Sequence, residues 1–176
     1  MLGKATRTVI AALAFSAAGL VGLTVREGYS DKAYPDPVLG TKVPTIGFGD
    51  TVGVKMGDTT TPVKALQRTL GHVQQDEGVI KRCVGVDVPL YQGEYDAYVE
   101  LAHNIGSTNF CTGGRMGGTS GIVRRLQARD YAGACESILD WKLSGGLDCS
   151  TPGNRVCGGL WTDRLRLHKK CMEAGK

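Results

Sequence analysis

The sequence predicts an α+β domain, mostly α, with a small β-hairpin lobe near the N-terminus and an essentially all-α second lobe. Three observations carry that expectation. Short apolar runs punctuated by Gly and Pro fall between Pro35 and Gly57, the pattern of strands and tight turns. From Thr60 onward apolar residues recur at helical spacing. A single long amphipathic stretch sits between these regions and suits a rod joining two lobes. With 176 residues the chain can bury a sizeable core.

In chain order, Lys4 and Arg7 precede eighteen uncharged residues, Thr8 to Val25, and Arg26 closes the run. That length is just inside the roughly 17–25 residues that span a bilayer as a helix. The leading positive charges would keep the N-terminus cytoplasmic while the rest crosses. Ten of the eighteen are Ala, Gly, Ser or Thr, so lipid would hold the run with little margin. A cleaved signal peptide, processed at Ala12-Leu13-Ala14 or Ser16-Ala17-Ala18, is an alternative reading, and a permanent anchor is another. Cleavage after Ala18 would leave eight residues before Glu27, too few for a helix that positions it.

Pro35 to Pro44 reads as loop and short strands, and Thr45-Ile46-Gly47-Phe48-Gly49 as a strand leading into a turn. Thr60-Thr61-Pro62 opens a helix with a hydroxyl N-cap and proline at the first position. Its apolar face, including Val63, Leu66, Leu70, Val73 and Ile80, carries it to about Val84. Pro89 begins a second helix, with Tyr95, Tyr98, Leu101 and Ala102 on a broad apolar face, ending at Gly106. Thr119-Ser120 caps a third helix (Ile122 to Arg129) and Asp130 a fourth (Tyr131 to Leu143). Gly145-Gly146 breaks the chain, and Gly158-Gly159-Leu160-Trp161 starts the last helix, to about Glu173. On this reading strands come only early and the later region is helical.

The six cysteines, Cys83, Cys111, Cys135, Cys149, Cys157 and Cys171, include no Cys-x-x-Cys pair and no following His-x-x-x-His, which argues against zinc. With an export-like N-terminus, disulfides in an oxidising compartment are the better reading. Six cysteines allow 15 connectivities. Cys149 and Cys157 flank a Ser-Thr-Pro-Gly-Asn turn and could close a local loop. A net charge of +4 fits attraction to an anionic polymer or surface without singling out nucleic acid, which is not expected as a partner. No cofactor is expected.

Two carboxylates, Glu27 and Asp36, lie nine positions apart, with Thr45 nine further on. Glycoside cleavage needs a proton donor at the leaving oxygen and a second group that stabilises the cation or activates water. Glu27 suits the first role if the apolar helix ends near Gly28, where the helix dipole and apolar surroundings both favour a neutral acid. Asp36, in a loop between prolines, suits the second, and Thr45 could hold a water through its hydroxyl. On spacing alone, two solvated surface acids are the simpler account.

The wider pattern decides between these. Glu27-Gly28-Tyr29, Tyr34-Pro35-Asp36 and Thr45-Ile46-Gly47-Phe48-Gly49 resemble the phage-type lysozymes, the endolysins that cut bacterial cell-wall glycan. The resemblance continues through Gln92-Gly93-Glu94-Tyr95-Asp96-Ala97, Asn104-Ile105-Gly106-Ser107, Asn109-Phe110-Cys111, Asp130-Tyr131-Ala132-Gly133-Ala134-Cys135, Trp141 and Gly145-Gly146. It implies the two-lobed lysozyme-like fold with a cleft between lobes. It also implies Glu27 as catalytic acid, Asp36 as second carboxylate and Thr45 as third member. Arg164, in a Gly-Leu-x-x-x-Arg stretch, looks like an arginine the family places near the cleft, where it could orient Glu27; a structural arginine is the other reading. On resemblance Asn104 contacts glycan, and Trp141 could stack on sugar or simply pack.

Three features depart from the family. The Asp36–Thr45 spacing is longer than is common, Asp50 stands where a histidine is common, which removes one expected ion-pair partner, and only Arg164 remains of an arginine-rich helix start. The N-terminus resembles the signal-arrest-release class, in which an uncleaved, weakly apolar segment tethers the enzyme inactive to the inner membrane and later leaves it. This divides the chain into a release segment (1–26) and a lysozyme-like catalytic domain (27–176). The expected protein is a monomeric muramidase exported to the host periplasm, acting on peptidoglycan strands and tethered through residues 8–25 before release. A lytic transglycosylase and a non-catalytic wall-binding protein are the alternatives. His72, His103 and His168 read as isolated, with His103 a hydrogen-bonded core residue, and Arg166, Lys169 and Lys170 as a solvated helix face.

Overall fold

The computed structural model describes residues 6–36, 40–114 and 117–176. It divides into two compact units, one from Ser16 to Gln75 and the other from Asp76 to the C-terminus together with the chain up to Phe15.

The uncharged N-terminal run is not one helix. Thr8–Val9 form a short strand, β1, Ile10–Ala12 a 3-10 turn, and Ala17–Glu27 the helix α1. Tertiary partners account for the split. The Ile10 N–H donates to the Val88 carbonyl (2.8 Å) and the Phe15 N–H to Glu77 Oε1 (2.7 Å), while Lys81 Nζ donates to the Leu13 carbonyl (2.6 Å). Ile10 is fully buried. Arg7 anchors the start of this stretch. Its guanidinium lies between the Tyr91 and Tyr131 rings, 4.2 and 3.8 Å from their centroids, and donates to both oxygens of buried Glu94. Among the described residues no helix is long and apolar enough to cross a membrane.

In the Ser16–Gln75 unit, Ser16 caps α1 by accepting from the Gly19 N–H, and Gly28 (φ 71°) ends it. An antiparallel hairpin follows, β2 (Ser30–Asp36) and β3 (Gly40–Gly47), pairing Tyr34 with Thr45 and Asp36 with Gly40. Its register shifts twice, between Ser30 and Tyr34 and between Pro35 and Asp36. Among the described residues of this unit, Leu23, Ile46, Val54, Ala65 and Val73 are buried apolar side chains.

Helix α2 (Pro62–Val84) has the bounds that its Thr-Thr-Pro start predicts, and its last residues belong to the other unit. There, β4 (Pro89–Leu90) pairs antiparallel with β1, and α3 (Gln92–Ile105) forms the core with Tyr95, Ala97, Tyr98, Val99, Leu101 and Ala102 buried. The second helix thus begins after Pro89, which serves as strand, and the Glu94 carboxylate accepts the Tyr91 N–H at its start (2.8 Å). Buried Glu77 accepts the Tyr95 hydroxyl (2.7 Å), and burial followed by that carboxylate pushes the Tyr95 phenol far above its ordinary pKa. The helices α4 (Ser107–Thr112), α5 (Gly121–Gln127), α6 (Tyr131–Glu136) and α7 (Gly158–Glu173) complete it.

Two sequence expectations are corrected here. The fourth helix stops at Glu136 and passes through a 3-10 turn, Ser137–Asp140, into a hairpin of β5 (Leu143–Ser144) and β6 (Leu147–Asp148). Gly145 and Gly146, both at positive φ, are the turn of that hairpin, so strands occur late as well as early. Arg166 and Lys170 are not a solvated face. They donate at 2.7 and 2.5 Å to Glu100, a buried acid of α3, which ties α7 to that helix.

The cysteines form three disulfides, Cys83–Cys111, Cys135–Cys171 and Cys149–Cys157, the last closing the local loop that its turn sequence suggested.

Candidate active site

Glu27 is the final residue of α1, as its Gly28 stop predicts, but its surroundings are not apolar: the side chain is exposed. Among the described residues its carboxylate has no hydrogen-bond or ion-pair partner. What lies against it is backbone. A Cβ built on Gly49 would fall 2.8 Å from Glu27 Oε2, and Gly49 sits at φ 78°. The positive φ favours glycine there, and the missing side chain leaves room for the end of the Glu27 carboxyl.

Asp36 ends β2 opposite Gly40, and its side chain lies outside the described residues. Thr45, in β3, is buried; its hydroxyl reaches the Val43 carbonyl only at 3.5 Å. Glu27, Asp36 and Thr45 therefore all come from the Ser16–Gln75 unit. On the same unit Tyr29 packs its ring against Phe48, with centroids 5.3 Å apart, and donates to the Thr60 carbonyl (3.2 Å).

The histidine expected at this position is absent, and Asp50 forms an ion pair of its own. The carboxylate is buried, accepts from Arg68 Nε and lies 3.8 Å from His72 Nδ1. The acid is on the turn and the bases are on α2. The three histidines are likewise not isolated, since His103 and His168 each lie 3.1 Å from a carboxylate, Asp76 and Glu136. Sequence reasoning missed Arg68 and His72 as partners. The available signal was their i, i+4 spacing on a helix that starts shortly after the Gly-x-Gly turn.

The other unit gathers Asn104, Trp141 and Arg164. Arg164 is 1% exposed, yet it is a cation. Its Nε donates to the Trp141 carbonyl (3.0 Å), Nη2 to Asn104 Oδ1 and Nη1 to Asp163 (3.4 Å). Burial pulls its pKa down and Asp163 opposes that shift. Asn104 is exposed and Trp141 half-buried. The arginine therefore holds the side chain of exposed Asn104 and the backbone of half-buried Trp141.

The model of the phage lysozyme family matches residues 24–164. The chain is 34% identical over 158 residues to the SAR-endolysin of Pseudomonas phage phiKMV, covering 89% of this chain and 88% of that one. It is 33% identical over 135 residues to the endolysin of Salmonella phage P22, covering 74% and 84%. Among solved structures, the active form of the P1 phage endolysin Lyz shares the fold, with a TM-score of 0.73 at 22% identity over 97% of this chain and 96% of that one.

Proposed function

The chain belongs to the phage lysozyme family, a family of peptidoglycan-cleaving glycosidases, and from that membership we propose an endolysin muramidase that hydrolyses the β-1,4 bond between N-acetylmuramic acid and N-acetylglucosamine. Glu27 donates a proton to the glycosidic oxygen as the bond breaks. Asp36 stabilises the positive charge that develops on the sugar or activates the attacking water, and Thr45 orients that water. Asn104 and Trp141, held by Arg164, contact the glycan. The observation that carries this reading is Glu27 itself, a carboxyl at a helix end with no hydrogen-bond partner among the described residues, beside the Gly49 backbone of the Thr-Ile-Gly-Phe-Gly turn.

Mass analysis of muropeptides after digestion of Gram-negative peptidoglycan tests it. The native protein releases reducing, hydrated muramic ends, and Glu27→Gln lowers the rate by about 10²–10⁴-fold. Anhydro ends would identify a transglycosylase and leave Asp36 without its role. No new ends would leave a wall-binding protein.

The second part of the proposal concerns residues 1–26. They hold the protein inactive in the host inner membrane, and after release it acts as a monomer in the periplasm on the glycan. Two features support this. The run Thr8–Val25 is uncharged but poor in large apolar residues, and in the folded chain Val21 and Val25 remain 60% and 75% exposed. The second feature is exclusion: the same residues supply β1, the Ile10 contact and α1, so a membrane helix and this fold cannot coexist. Gly19→Leu with Gly22→Leu tests it by cell fractionation. More protein in the membrane fraction and slower lysis are expected; unchanged partition and lysis would remove the tether from the account.

A further inference from the structure

The turn from Gly47 to Asp50 is confined from two sides. A Cβ on Gly49 would meet Glu27 Oε2 at 2.8 Å, and one on Gly47 would meet the Ala65 Cβ of α2 at 2.8 Å. The turn backbone lies beside the Glu27 carboxyl at the end of α1 and beside Ala65 near the start of α2. Its position therefore sets where the Glu27 carboxyl can rest.

Asp50 governs that position. Its main chain exchanges hydrogen bonds with Ile46 at 2.9 and 3.0 Å, which closes the turn. Its Oδ1 accepts the Val52 N–H at 2.9 Å, and its Oδ2 accepts from Arg68 Nε. Arg68 Nη2 donates to the Val52 carbonyl at 2.6 Å. The Asp50 carboxylate thus ties the outgoing limb to α2 while its main chain holds the incoming limb, and His72 Nδ1 faces Oδ1 at 3.8 Å. A buried carboxylate bonded to a guanidinium is held more firmly than a neutral contact would be.

We infer that Asp50 is a positioning residue for Glu27: through Arg68 it fixes the Gly47–Gly49 backbone against the Glu27 carboxyl. The inference rests on Glu27 being the acid. It assigns Asp50 no contact with substrate. Catalysis is sensitive to such placement because a shift of about 1 Å in a reacting group costs on the order of a hundredfold.

The test compares kcat and KM of the full chain on soluble peptidoglycan fragments, each variant assayed well below its own Tm. Asp50→Asn keeps the shape and removes the charge; kcat falls about tenfold with KM within about twofold. Arg68→Lys retains the charge and forfeits the planar fork, so its kcat falls between those of Asp50→Asn and the native protein. Phe110→Leu, buried in the other unit, is the control that lowers Tm and leaves kcat unchanged. Native kcat in Asp50→Asn, whatever its Tm, would reduce Asp50 to a structural residue and overturn the inference. If Asp50→Asn does not fold, Arg68→Gln decides the matter, because that side chain is 46% exposed and the glutamine amide can still donate to Asp50. Glu27→Gln in the same assay separates the two readings. Its retained activity would sink the assignment of the acid, whereas an inactive Glu27→Gln beside a fully active Asp50→Asn would sink only the positioning role.

Discussion

The two units are stabilised by different means. The unit that begins at Asp76 holds all three disulfides and a helix, α3, whose buried run extends from Glu94 to Ala102. The Ser16–Gln75 unit has no crosslink and few buried apolar side chains, and it relies on turn hydrogen bonds and the Asp50–Arg68 pair. Glu27, Asp36 and Thr45 lie on the second kind of scaffold. About 60 residues bury too little apolar surface to be rigid by core alone. A buried carboxylate in a glycine turn is then an effective way to place one side chain without a large core.

The comparison would break most visibly at the disulfides. In the chain-entropy account, removing Cys135–Cys171 costs about 4 kcal/mol, Cys83–Cys111 about 3.5 and Cys149–Cys157 about 2.5, following loop length. Urea unfolding of paired Cys→Ala variants gives the order. Hydrogen exchange adds the location: amides of α3 should lose protection before those of β2 and β3. Loss from the β2–β3 hairpin first would mean that the crosslinks do not serve the unit that carries them.

Arg7→Ala comes next, at about 2–3 kcal/mol, because it leaves Glu94 buried without its counter-charge and empties the slot between two tyrosines. Limited proteolysis should then cut among residues 6–15. An unchanged unfolding midpoint would detach that stretch from the crosslinked unit. Gly47→Ala is a perturbation of the uncrosslinked unit, worth about 2 kcal/mol, since φ is 65° and Ala65 blocks the new methyl. Its effect on exchange should stay within β2, β3 and the turn.

The smallest effect concerns Asp148 in β6. Hydrogen bonds from Ser150, then Lys142, hold its carboxyl down at about 2. The folded value lies below the ordinary one of 3.8, so its contribution is present above that value and disappears as pH falls through about 2. Asp148→Asn should therefore have a slightly lower Tm than the native protein at neutral pH and an equal one near the acid limit. A gap that widens on acidification would contradict the sign.

Much of this architecture was legible because it is local. A hydroxyl-proline start defines α2, Gly28 ends α1 at Glu27, and the turn between Cys149 and Cys157 announces their bridge. The phage lysozyme motifs could be read in order for the same reason, as each is a short contiguous string. The hairpin at Gly145–Gly146 was misread as a mere break, since two glycines punctuate a chain without saying what pairs across them.

What tertiary structure alone decided was the fate of groups with more than one physical option. The uncharged run Thr8–Val25 suits a strand, a turn, a helix or a bilayer, and tertiary partners such as the Val88 carbonyl, Glu77, Lys81, Gln92 and the Arg7 slot select among them. Glu94 and Glu100 are buried because Arg7, Arg166 and Lys170 arrive from elsewhere in the chain. Asp50 read as the removal of an expected ion-pair partner, and only α2 shows that Arg68 and His72 pair with it instead. A charge or an open backbone group is costly to bury until it is matched, and a match across distant parts of the chain depends on the folded geometry.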